Sequence, residues 1–174
     1  MACEYGAALA DAIVRMKHGG RRDLARRLAR LLIDPLVRLL ARGPLGPADA
    51  VVPVPLHPRK LRRRGFNQSL ELARGALGLL ARRTGGGALT LPVLERTLLR
   101  RTRDTRELGH LGPAARVAEV AGAFAVADPP RVHRRRVVLV DDVFTTGATL
   151  NECASTLRSA GAREVWVVAL ARAV

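Results

Sequence analysis

The run RVVLVDDVFTTGAT, residues 136–149, decides how this chain is read. Val137, Val138, Leu139 and Val140 are four consecutive apolar residues, mostly β-branched, and suit a central strand buried on both faces. Asp141 and Asp142 then stand where the strand meets water, and in an open parallel sheet ligands sit in the crevice at the strands' carboxyl ends. Thr145-Thr146-Gly147-Ala148-Thr149 follows and leads into a helix-like run over 150–160. Such a turn aims several backbone N–H groups and Thr hydroxyls at one phosphate, with the positive end of a helix behind them, and Gly147 lets the backbone come close. Carboxylates accept hydrogen bonds from hydroxyls but repel a bare phosphate. The residues therefore divide into sugar hydroxyls on Asp141 and Asp142, with Mg²⁺ as an indirectly held companion, and a terminal phosphate on 145–149.

An apolar strand ending in two acids also occurs in ATPases as a Walker B strand and in receiver domains. A Walker B strand requires a phosphate-binding lysine loop. The only lysines are Lys17 and Lys60, preceded by Met16 and Arg59, so no G-x-x-x-x-G-K-[ST] exists, and no G-x-G-x-x-G is present either. A strand and turn without a ligand has little use for two acids and three threonines.

Outward from that stretch, the 174 residues, 48% of them apolar, suffice for one good core, and a single domain over 1–174 is expected. The formal charge of +15 invites polyphosphate or nucleic acid. Nearly all of the 30 basic residues are Arg, in a chain dominated by Ala, Leu and Arg, which reflects coding bias as much as function. One Trp, one Tyr and three Phe are too few to space stacking rings along a strand-binding groove, so nucleic acid is not the favoured partner. Cys3 and Cys153 make neither a disulfide framework nor a four-ligand zinc site. The start carries early charges rather than a signal peptide, and nowhere do eighteen apolar residues run together. A cytoplasmic location without a membrane is the expectation.

Residues 7–17 have the spacing of a short amphipathic helix. Residues 23–42 carry leucines at helical spacings that Pro35 should kink or divide. Together 1–47 form a helical N-terminal cap or hood, and 48–174 an α/β core with a mostly parallel sheet flanked by helices. Residues 51–54 begin a strand, and Pro53, Pro55 and Pro58 make a stiff turn with three X-Pro bonds, each able to be cis. The densest cationic cluster, 59–64, follows at once. Residues 68–83 read as a helix, 89–94 as a strand, 95–120 as a long charged loop, 121–126 as a strand re-entering the sheet and 165–170 as a last buried strand. The basic run 131–136 lies at the far end of the central strand and reads as a solvated surface. Of the four His, only His57 falls near a candidate site.

VVLVDDVFTTGAT resembles the ribose-5-phosphate loop of the type I phosphoribosyltransferases, whose ligand is phosphoribosyl pyrophosphate (PRPP). The resemblance implies that Asp141 and Asp142 hold the ribose hydroxyls and that Thr145, Thr146, Gly147, Ala148 and Thr149 hold the 5-phosphate. It also implies a pyrophosphate loop at Pro55, Leu56, His57, Arg59, Lys60 and Arg64, and a loop over 95–120 that closes on the sugar. Arg101 and Arg103 in that loop are the candidate catalytic cations. PVPLHPRKLRRRGFNQSLELA, with Tyr5-Gly6, Ile13 and Met16-Lys17 before it, narrows the resemblance to the ComF (competence protein F, GntX-like) branch. Transfer of phosphoribosyl to a nitrogen nucleophile is implied, or else a non-catalytic PRPP- or nucleotide-binding module that assists DNA uptake. A homodimer is expected as well. Relatives carry amides where this chain has Leu108 and Glu119. An acid at 119 is expected to repel the phosphates, giving PRPP affinity with slow or absent turnover. Zinc is not expected, since only Cys3 stands where many relatives have a Cys-rich ribbon.

Overall fold

A computed structural model describes residues 3–4, 6–42, 48–84, 91–106 and 111–172. Its spine is β6 (Arg136–Phe144), the strand anticipated from the apolar run. Both neighbours run parallel to it, β7 (Glu164–Arg172) on one side and β2 (Ala50–Pro53) on the other. β1 (Cys3–Glu4) and β3 (Val93–Leu94) extend the parallel sheet to the order β1-β7-β6-β2-β3. The chain leaves β2 toward β3 and leaves β6 toward β7, so it winds in opposite directions from the two central strands. Their carboxyl ends therefore flank the switch-point crevice of the sheet.

Alternation along β6 feeds two cores. Val138 and Val140 join Val51, Val168 and Leu170 under α1 (Ala7–His18), α2 (Arg22–Leu28), α3 (Ile33–Arg42) and α5 (Gln68–Thr84). Val137 and Leu139 join Val52, Leu150, Cys153 and Leu157 on the other face, which α7 (Ala148–Ser159) covers. The N-terminal helices are thus a layer continuous with α5, and the end of α1 reaches the crevice. The Leu stripe is divided by a 3₁₀ turn, Ala29–Leu32, just before Pro35. A proline lacks its N–H and crowds the carbonyl four residues back, here Leu31, so the turn ahead of it tightens.

Several elements differ from the sequence expectation. The basic run after β2 is a helix, α4 (Pro58–Arg64), with His57 at its N-cap, Pro58 in its first turn and Gly65 closing it at φ 81°. Among the described residues every peptide bond is trans. The expected strand over 89–94 is shorter, Val93–Leu94: Leu91 and Pro92 are outside any strand, Pro92 having no N–H to give a ladder, while 85–90 and the 43–47 connector lie outside the described residues. The segment 95–120 is not a structureless loop. It holds β4 (Leu99–Arg101) and α6 (Pro113–Val120), with 107–110 outside the described residues. β5 (Phe124–Val126) does not re-enter the main sheet; it pairs antiparallel with β4 in a separate ribbon over the second core.

The run 131–136 is also more than a solvated surface. Arg131 and Arg135 bond the buried Glu95 carboxylate at 2.6 and 2.8 Å, and the amide of Arg136 bonds Asp49 at 2.7 Å. These pairs tie the approach to β6 to the strands beside it. A single sequence cannot reveal them, because the acids arrive from 36 to 87 residues away.

Candidate functional site

β6 carries Asp141 and Asp142 to the switch point, 8% and 4% exposed. Asp141 Oδ1 accepts from Ser69 Oγ and from the Asp142 amide, each at 2.9 Å. Burial first, and then the neighbouring Asp142 carboxylate, push the Asp141 carboxyl up to about 7, against the opposing pull of Lys17, the Asp142 amide and Ser69. Asp142 shares the face of Val138 and Val140, and there Lys17 Nζ, from the last turn of α1, stands 2.7 Å from its Oδ2. That ion pair takes one acceptor direction of Oδ2, and among the described residues no other group fills the second.

The turn after β6 has the features of an anion cradle. Gly147 sits at φ 78°, and a Cβ placed on it would lie 2.9 Å from the Phe144 ring, so both conformation and space require glycine. It is the N-cap of α7, yet no side chain caps the helix and no acid occupies its first turn. The first amides of a helix have no internal partner, so those of α7 face the concavity that Asp141, Thr145, Thr146 and Thr149 share.

Beside this turn lies a cavity of about 250 Å³ lined by Lys17, Lys60, Arg64, Arg101, Arg106 and Thr149, with His18, Leu56 and Gln68. Of the expected pyrophosphate residues, Leu56, Lys60 and Arg64 therefore face it. Pro55 and His57 line an adjoining groove of about 1090 Å³ instead, which shares Leu56 and Arg101 with the cavity. Arg59 is exposed and points toward Asp104, which His57 Nδ1 also approaches at 3.6 Å. Arg101 is half-buried, like Lys60 and Arg64. Its guanidinium stacks over Phe124 at 5.2 Å and donates to Thr105 Oγ1, while its Nε is buried without a partner. Desolvation lowers its pKa, with the fields of Cys153 and Asp141 opposing.

Arg103, the other expected catalytic cation, is turned away. It donates to the carbonyls of Glu119 and Ala121 at 2.8 and 2.9 Å. Glu119 is engaged by the loop itself. Its Oε1 accepts the Arg106 amide at 2.8 Å, and its carboxylate lies within 4.0 Å of Arg103 and Arg106. It pins the loop that presents Arg106. Leu108 lies outside the described residues. Arg106 belongs to the loop expected to close on the sugar, whereas Lys17 and Ser69 meet the acid pair and were passed over by motif reading. Only the Met16-Lys17 pair of the ComF resemblance carried a signal for one of them.

The residues do not fit a metal held by protein ligands alone. Among the described residues no three His, Cys, Asp or Glu converge, and the free oxygen of Asp142 is already met by an ammonium. Mg²⁺ that arrives on phosphate oxygens needs few protein ligands.

A parallel sheet with an acid pair, an uncapped glycine turn and a cationic pocket at its switch point defines a protein of the type I phosphoribosyltransferase fold. The family described as "Phosphoribosyl transferase domain" matches residues 98–173. DNA utilization protein YhgH of Escherichia coli O6:H1 is 34% identical over 97% of this chain and 69% of its own length. Competence protein F of Haemophilus influenzae is 34% identical over 97% and 70%. The chain belongs to the ComF (competence protein F) family. Among solved structures, a glutamine PRPP amidotransferase from B. subtilis is 25% identical, with a TM-score of 0.44 over 88% of this chain and 26% of its own.

Proposed function

We propose that this protein binds PRPP or a closely related 5-phosphosugar in the crevice between β2 and β6. The observation that carries the reading is the meeting, around the 145–149 turn, of the buried acid pair and a cationic cavity in which a buried polar atom, Arg101 Nε, has no partner. A folded protein rarely leaves such atoms unsatisfied, and where it does a ligand is a frequent reason. The 5-phosphate rests on the amides and hydroxyls of the turn. The ribose hydroxyls donate to Asp141 and Asp142, and the pyrophosphate lies among Lys60, Arg64, Arg101 and Arg106.

In a transferase, a nitrogen nucleophile entering from the large groove attacks the anomeric carbon. The bond to pyrophosphate breaks, and the leaving group departs with its electron pair into the cationic cavity, whose fixed charges stabilise it. A second reading keeps the pocket without turnover, as a PRPP-binding accessory in DNA uptake or competence. It rests on the names of the relatives, DNA utilization protein YhgH and Competence protein F. A screen of bases for pyrophosphate release from PRPP separates the two.

Calorimetry with ribose 5-phosphate and PRPP tests the site itself. Asp141→Ala and Asp142→Ala each remove a charge-assisted hydrogen bond, a loss of about 1.5–3 kcal/mol, or roughly ten- to over a hundredfold in affinity. Equal affinity in the wild type and both variants would rule out the assigned ribose contacts.

A further inference from the structure

Resting on the phosphosugar reading above, we propose that Lys17 is the resident cation of this site. It bridges Asp142 to the ligand's pyrophosphate where a divalent ion would otherwise serve, and PRPP binding therefore persists without magnesium.

The argument is geometric. Lys17 Nζ is 2.7 Å from Asp142 Oδ2, and the Lys17 side chain is 24% exposed, so it is a placed group rather than a free surface lysine. The same side chain lines the cavity with Lys60, Arg64, Arg101, Arg106 and Thr149. It thus spans the ribose carboxylates and the pyrophosphate pocket, the two groups a phosphate-borne metal would connect. An ammonium has three donors and no acceptor. One of them meets Asp142 Oδ2 at 2.7 Å, which leaves the others for phosphate oxygens. A divalent ion brought directly onto Asp142 Oδ2 would have to displace Nζ or face it at close range, and like charges at such separation repel strongly.

Lys17 is also held from behind. Ile13 and Met16 of α1 are buried in the first core, and a lysine in the last turn of a helix sits at the favourable end of its dipole. The sequence places Lys17 some 125 positions from Asp142, so only the folded chain pairs them.

The experiment is PRPP calorimetry on the full chain in EDTA and in Mg²⁺, with wild type, Lys17→Gln and Lys17→Arg. Glutamine keeps a donor beside Asp142 and removes the charge; arginine keeps the charge. Wild-type affinity is expected to change by less than about threefold on metal removal. Lys17→Gln should bind about ten- to a hundredfold more weakly in EDTA and recover in Mg²⁺, while Lys17→Arg should stay close to wild type in both. Wild-type binding that collapses in EDTA overturns the proposal even if neither variant folds, and so does tighter binding by Lys17→Gln, which would make Lys17 a blocking group. Absence of PRPP binding by the wild type in both buffers would instead bring down the phosphosugar reading, and this inference with it.

Discussion

Asp141 shows how one residue links site chemistry to stability. Its ordinary carboxyl value of 3.8 is raised to about 7 by burial and by Asp142. Between those values the folded chain holds a proton that the unfolded chain has released, so Asp141 subtracts stability progressively as pH climbs from about 4 to 7. Asp49 behaves in the opposite way. Its carboxyl is lowered by the Arg136 hydrogen bond, so its contribution is present above the unfolded value and is lost only as pH falls below it. The thermal midpoint is expected to decline from pH 5 toward 7 in the wild type and to stay level in Asp141→Asn. Parallel pH profiles of the two proteins would mean that the folded crevice does not hold the extra proton. On the phosphosugar reading proposed above, that cost is what a carboxylate incurs for being kept out of water, next to a like charge, until a ligand's hydroxyls arrive.

The instructive element is the ribbon and loop from β4 to α6. The sequence singles out Arg101 and Arg103 as its catalytic cations and Glu119 as an acid that repels phosphate. The fold sorts them. Arg101 and Arg106 face the cationic cavity, Arg103 binds carbonyls at the end of α6, and Glu119 bonds the Arg106 amide. Lys60 Nζ further ties the loop to α4 through the Thr105 carbonyl at 2.7 Å. A shorter neutral side chain at 119 loses this reach. Glu119→Asn is therefore expected to weaken PRPP binding several-fold and to raise amide exchange at Arg106, with ribose 5-phosphate affinity nearly unchanged because that ligand lacks the pyrophosphate. Stronger PRPP binding in Glu119→Asn would restore the view that the acid repels phosphate. Arg131, Arg135 and Glu95 make the same point for the run before β6, where cations that look free in sequence are structural partners of a buried acid.

For the whole molecule, a charge of +15 and the local site make separable predictions. The long-range field attracts any polyanion, is screened within about 8 Å at physiological salt, and needs no particular carboxylate. Retention of duplex DNA should therefore fall steeply between 0.05 and 0.2 M salt (about tenfold or more) and be the same in Asp141→Asn. Phosphosugar binding should show the reverse pattern, with weak salt dependence and strong dependence on Asp141. DNA retention that vanished in Asp141→Asn would make the crevice itself a nucleic-acid site. No helix of the described residues is long and apolar enough to cross a membrane, so the basic surface is not flanking a helical span there. The sequence by itself determined the central strand, the acid pair, the glycine turn and the parallel α/β class. Each is written in consecutive residues, through β-branched apolar runs, hydroxyl and glycine chemistry, and helical Leu spacing. Only the tertiary structure decided that Lys17 meets Asp142, that Arg106 rather than Arg103 enters the pocket, that β5 joins a separate ribbon and that Glu95 and Asp49 neutralise the basic run. Those outcomes are pairings between residues tens of positions apart, and a side chain's partner is set by where the folded backbone carries it, which local pattern does not encode.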